Sequence, residues 1–192
     1  MKVSLSWLKD YIAINMDAEQ LAEALTMAGL EVESISDRYA YLNSVVIGRI
    51  DQVKPHPNAD KLTICRVHTK DHNWSVVCGA PNVQEGMLAP LAKPGTIFPE
   101  GFQLEKSVIR GESSEGMLCS EAELGLGIDK SGIMTLDSSL KVGDRLAVAL
   151  GLSDAVFELD LTPNRPDCLS VIGIAREIAA IQKTPLNYQK PP

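Results

Sequence analysis

Between Tyr41 and Leu136 the chain runs as short apolar stretches broken by clusters of Gly, Pro, Asn and Asp. This texture limits the fold more than any other feature. Runs of that length are too short for core-building helices and suit strands closed by tight turns. Strands are expected at 45–53, 62–69, 74–78, 87–92, 107–110 and 132–136, with turns at 54–57, 80–82 and 93–95. Five principal strands over about a hundred residues fit a small OB-type barrel with embellishments.

The flanks read differently. Trp7, Leu8, Tyr11 and Ile12 recur at helical spacing. A second helix is expected from Asp17, which forms a capping box with Gln20, and Leu21, Ala24, Leu25 and Ala28 make its apolar stripe. Gly29 is placed to end it, and Leu30, Val32 and Ile35 then suit a short strand. Beyond Gly151 the pattern predicts a strand at 156–161, a Pro-punctuated turn at 162–166 and an amphipathic helix at 169–183. Asp167 is the expected cap of that helix, and Ile172, Ala175, Ile178, Ala179 and Ile181 its apolar face. The tail at 189–192 reads as a linker. Neither flank carries enough apolar surface for a core of its own. Residues 1–39 and 152–192 are therefore expected to build one small domain, with 40–151 inserted as the barrel.

Composition excludes several classes. With 45% hydrophobic and 22% charged residues the 192-residue chain is globular, and its mean hydropathy is +0.01. No apolar run is long enough to span a bilayer, and the first twenty residues lack a cleavage signal, so a cytoplasmic protein is expected. Cys65, Cys78, Cys119 and Cys168 form no C-x-x-C pair, and His56, His68 and His72 complete no zinc spacing. Packed, reduced thiols are expected, with no metal and no disulfide framework. The net charge of −7 is the wrong sign for strong non-specific binding to nucleic acid. Recognition through a local patch survives that objection.

Four loop clusters carry polar chemistry: 54–62, 77–82, 106–111 and 113–120. Loops on a rigid sheet are where binding residues concentrate. Prolines fix His56 in its turn, Lys54 and Lys61 flank it, and Asn82 follows a Gly-Ala-Pro turn. Lys106 and Arg110 precede a Ser/Gly-rich loop holding Ser113, Met117 and Ser120. Lys54, His56, Asn58, Lys61, Asn82, Lys106, Arg110, Ser113 and Ser120 are the expected RNA-facing set. Each loop also reads as an ordinary turn with solvated lysines, and Met117 as a core residue. Glu112, Glu115, Glu121 and Glu123 read as a solvated acidic face. Motifs for phosphate-cradling loops, nucleophile elbows and metalloproteases are missing, and no base is placed beside Cys78 or Cys119, so no catalytic residue is expected. Aromatics make up only 5% of the chain, which favours shape recognition of structured RNA over stacking of single strands.

The segments at 56–62 (HPNADKL), 76–82 (VVCGAPN) and 109–126 (IRGESSEGMLCSEAELGL) resemble the tRNA-binding OB module of synthetase appendages and small tRNA-binding proteins. The flanking segments at 26–34 (TMAGLEVES) and 157–181 (FELDLTPNRPDCLSVIGIAREIAAI) resemble the β subunit of bacterial phenylalanyl-tRNA synthetase, so the likeness covers nearly the whole chain. The resemblance implies an α+β fold, with an OB-type barrel inserted into a small discontinuous helical–strand domain. It implies a ligase of two α and two β subunits that joins phenylalanine to tRNA with ATP and magnesium. The aminoacylation site would lie in the α subunit, and the editing and anticodon-binding parts beyond this chain. The fragment itself is expected to be non-catalytic and to hold no cofactor, with tRNA and the other subunits as partners. Two other readings stay open: a free-standing tRNA-binding or chaperone-like protein, and a purely structural assembly module.

Overall fold

In the computed structural model, which describes residues 1–187, contacts divide the chain into two units. One joins residues 1–38 to those from 153 onward, and the other is Tyr39–Leu152. The expected linker at 189–192 lies outside the described residues.

The chain opens with strand β1 (Lys2–Ser4), helix α1 (Leu5–Tyr11), helix α2 (Ala18–Met27) and strand β2 (Glu31–Ser36). Ser4 caps α1 by accepting from the Trp7 N–H at 3.1 Å. The Asp17 carboxylate accepts from the Gln20 N–H at 2.8 Å, and the Gln20 side chain accepts in return at 3.2 Å, completing the capping box. Leu21 and Leu25 are buried, whereas Ala28 is exposed and ends the helix instead of extending its stripe. Gly29 follows with φ +86°, a conformation that costs glycine little.

The second unit is an open antiparallel sheet with a short ribbon beside it. Strands β3 (Val45–His56), β4 (Ala59–His68), β5 (Asn73–Cys78), β6 (Leu88–Ala92) and β9 (Met117–Leu118) lie in the order β5-β4-β3-β6-β9. Strands β7 (Ser107–Ile109) and β8 (Glu112–Ser114) pair separately, and a short helix α3 (Leu146–Ala149) follows. The two edges do not close into a barrel through a backbone ladder. Instead the Glu115 N–H donates to the Ser75 carbonyl at 2.8 Å, and the Val77 N–H donates to Ser114 Oγ at 3.1 Å. Apolar clusters line this unit: Leu42, Val45, Ile47, Leu124 and Leu146 in one, Ile50, Val67, Val76 and Leu91 in another.

Two expectations fail here. The turn expected at 54–57 starts only at Pro57, because β3 runs through Pro55 to His56. The Val53 N–H points away from β4 to Glu85 Oε1 at 2.9 Å, and β6 pairs only with Val45–Arg49. Two residues on from Val53, the Pro55 nitrogen faces the same open side, so its missing N–H removes no ladder bond. The strand expected at 132–136 is a loop touching the sheet through one isolated bridge, Leu88 to Leu136.

Strand β10 (Val156–Asp160) and helix α4 (Val171–Gln182) complete the first unit. β10 lies between β1 and β2, antiparallel to both. Its Phe157 and Leu159 meet Leu8, Leu21, Leu25, Ile174 and Ile178 in one core. Fully burying side chains of this size contributes about 1.5–3 kcal/mol each relative to exposure. The cap of α4 is Ser170, which accepts from the Gly173 N–H at 3.1 Å, not Asp167. Asp167 is held instead by the Arg165 guanidinium, at 3.0 and 3.2 Å. Gly173 is required because a Cβ there would collide with the Asp167 carbonyl.

Candidate nucleic-acid interface

Two tight turns meet in the sheet unit, the one between β3 and β4 and the one between β7 and β8. His56 holds them together. Its Nδ1 accepts from the Asn58 N–H at 3.1 Å, which leaves Nε2 protonated to donate to the Ile109 carbonyl at 3.0 Å. Asn58 Nδ2 donates to the Arg110 carbonyl at 3.1 Å. At the β7–β8 turn, Arg110 and Gly111 have φ of +52° and +97°. Positive values at both central residues mark a type I′ hairpin, whose first position favours Asn, Asp or Gly. An arginine there accepts backbone strain and projects its guanidinium from a fixed tip.

The nine expected contact residues part into two groups. Lys54, Lys61, Lys106, Arg110 and Ser113 are exposed. Lys106 pairs with Glu115 at 3.4 Å. The Glu115 carboxyl is held below its ordinary pKa, first by the Ser75 N–H and then by Lys106. The other four side chains hold loops. His56 is 5% exposed and Ser120 6%, which corrects the expectation that they face RNA directly. Ser120 is turned inward because both its N–H and its hydroxyl donate to Glu123 Oε2 at 2.7 Å. Glu123, exposed as expected of an acidic face, thereby also anchors a turn. Asn58 and Asn82 are exposed as well, but Asn58 is engaged as described and Asn82 clamps a distant strand-like loop. Its Nδ2 donates to the Ile133 carbonyl at 2.8 Å, and its Oδ1 accepts from the Ile133 N–H at 2.9 Å.

Two residues escaped sequence reasoning. Ser114 is 3% exposed and closes the β5 edge, donating to the Gly116 carbonyl at 2.9 Å while accepting from Val77. Val108 is 73% exposed on β7. The signal for both was the alternation of side chains on either side of Arg110-Gly111. A cavity of about 750 Å³ opens nearby, lined by the end of β5, Phe98, Phe102, Met117 and Ser120. Met117 is half-buried there and also packs on the core.

All four cysteines are free and buried. Burial pushes the Cys65 and Cys168 thiols up to about 11 and raises those of Cys78 and Cys119. None has nucleophilic character at neutral pH. In the helical unit, ligand atoms of Asp167, Cys168 and Glu177 lie within 4.8 Å of one another. Arg165 Nη2 stands among them, at 3.0 Å from Asp167, 2.9 Å from Cys168 and 2.8 Å from Glu177. The guanidinium already supplies the cation that such a cluster would attract. No helix among the described residues is long and apolar enough to cross a membrane.

Residues 45–145, which include both tied turns and the exposed Lys54, Lys61, Lys106 and Arg110, match the family described as "Putative tRNA binding domain". The chain belongs to this tRNA-binding domain family. It is also 51% identical over 187 residues to the phenylalanine–tRNA ligase beta subunit of Syntrophus aciditrophicus, covering 97% of this chain and 23% of that protein. Against the same subunit of Legionella pneumophila it is 46% identical over 190 residues, covering 98% and 24%. The chain thus spans about a quarter of the length of the curated relatives it matches. Among solved structures, a MetRS-related protein from Pyrococcus horikoshii aligns at TM-score 0.40 and 18% identity, over 53% of this chain and 87% of that one.

Proposed function

We propose that this chain is the auxiliary tRNA-binding and structural region of a phenylalanine–tRNA ligase β subunit. In this reading it serves an α2β2 enzyme that attaches phenylalanine to tRNA in the cytoplasm. The observation that carries it is the near-complete match to ligase β subunits together with the family match over the sheet unit. The Tyr39–Leu152 unit is read as an OB-type domain inserted in the helical–strand domain, with Ser114 and Glu115 bridging the edges that an OB barrel would close. Phosphate contacts are assigned to Lys54, Lys61, Lys106 and Arg110, and a hydroxyl contact to Ser113. His56, Asn58, Asn82 and Ser120 hold the loops that present them.

ATP and Mg²⁺ belong, in this reading, to other parts of the ligase. Among the described residues, the acidic cluster that could suit a metal is filled by Arg165. The net charge of −7 favours a modest RNA affinity, and with it a share of the surface given to the other subunits. The test is binding of the chain to tRNA for phenylalanine at low and near-physiological salt. Reversing both Lys61 and Arg110 to Glu should weaken binding by roughly tenfold or more and flatten the salt dependence by about two phosphate contacts. Unchanged affinity and slope would remove these cations from the interface. Loss of ligase assembly without loss of tRNA binding would favour the assembly role.

A further inference from the structure

Resting on the tRNA-binding reading above, we propose that the β7–β8 ribbon recognises base-paired RNA. Its outer face, Val108 and Ser113, would lie on the shallow groove of an A-form stem. The register sets that face. Val108 stands opposite Ser113, Ile109 opposite Glu112, and Ser107 opposite Ser114. Directly opposed residues share a face of the ribbon. Val108 and Ser113 are both exposed, whereas on the other face Ile109 and Glu112 are half-buried, Ser114 is buried and only Ser107, at the start of β7, is exposed.

The ribbon is mounted firmly at both ends. His56 and Asn58 hold the Ile109 and Arg110 carbonyls, and Ser114 and Glu115 bond the edge of β5. A three-residue strand that is fixed this well, yet leaves an apolar side chain 73% exposed, spends that side chain on nothing inside the fold. The strained Arg110 at the tip is a second, independent mark of use, since an Asn or Gly there would relieve the backbone.

The chemistry selects the partner. Residues 106–117 contain no aromatic ring, so unpaired bases find no stacking platform on the ribbon. Asp60, Glu105 and Glu115 offset most of the charge of Lys54, Lys61, Lys106 and Arg110, so phosphate attraction alone does not define the site. The A-form shallow groove displays ribose surface and 2′-hydroxyls. Val108 methyls suit the ribose, the Ser113 hydroxyl suits a 2′-hydroxyl, and Arg110 reaches the bordering phosphate.

The experiment compares the whole chain on three probes of one sequence: an RNA duplex, the matching DNA duplex and the single RNA strand. RNA duplex should bind about tenfold tighter than either of the others. The double substitution Val108→Ala with Ser113→Ala should weaken duplex binding by about tenfold and leave the salt slope unchanged, since neither contact is ionic. Both positions are exposed, so folding is preserved and is checked by circular dichroism. Equal binding of DNA duplex, preference for the single strand, or no effect of the double substitution would overturn the inference. If Lys61→Glu with Arg110→Glu still weakens tRNA binding in that case, the tRNA-binding reading stands while the ribbon assignment falls. Absence of binding to any RNA at low salt would remove both.

Discussion

In the helical unit the side chains that cap helices act close to home, while Asp154 and Gln182 tie distant segments, Asp154 accepting from Ser4 and Ser6 and Gln182 donating to the Ala13 carbonyl. Ser4, Asp17 and Ser170 each accept from a backbone N–H three residues on, finishing a helix that apolar spacing has already begun. In the sheet unit polar side chains act at a distance. His56 bonds residue 109, Asn58 bonds residue 110, and Asn82 bonds residue 133. The first unit is therefore held by its core, with its helix ends trimmed by local caps. In the second, polar side chains decide where the loops stand, and with them the surface offered to a partner.

The comparison breaks most easily in the helical core. Phe157→Ala should cost about 4 kcal/mol, the range for truncating a buried aromatic, and strip hydrogen-exchange protection from β10 and α4. Equal loss of protection in β3–β6 would show that the two units share their stability. Next comes Asn82→Ala, which leaves the Ile133 N–H and carbonyl without their partner and should cost about 2 kcal/mol. That cost should appear as faster exchange at Ile133 and in the 130–134 loop, with α4 unaffected. Ser170→Ala should cost about 1 kcal/mol in urea unfolding, as for other helix caps. A cost as large as that of Asn82→Ala would blur the distinction between trimming and placing.

Arg110→Asn should act in the opposite sense. It relieves the φ of +52° and should add about 0.5 kcal/mol of stability while weakening tRNA binding. A gain in both would end the argument that the strain serves binding. The narrowest effect lies at acid pH. Arg165 lowers the Asp167 carboxyl from 3.8 to about 2, so its stabilising contribution is complete above the unfolded value and fades as pH falls from about 4 to 2. Asp167→Asn should flatten that limb of a pH-dependent unfolding series, and an unchanged limb would detach Asp167 from the fold's acid response.

What the sequence made readable follows the same division. Local signals carried the Asp17–Gln20 box, the Gly29 stop and the starts of β3 and β7, because the information sits within a few residues. Pro55 misled, since whether a proline stops a strand depends on which neighbour its nitrogen faces. The three- and two-residue strands β8 and β9 are too short to show a period, and the loop at 132–136 looked like a strand although only one bridge forms. Among the expected contact residues, residue type pointed to the lysines and arginine, which are exposed. It could not separate them from His56 and Ser120, whose burial is set by partners tens of residues away or by an adjacent glutamate. Asp167 showed the same limit on a smaller scale, because a cap and an ion-pair partner look alike until Arg165 is placed.

The four masked thiols give the molecule a pair of internal clocks. Cys168 lies in the helical unit, and Cys65, Cys78 and Cys119 lie in the sheet unit, all buried and none ionised at neutral pH. An alkylating reagent can then react only when the surrounding structure opens. The order in which one mass tag and then three appear on the native chain would record which unit opens first.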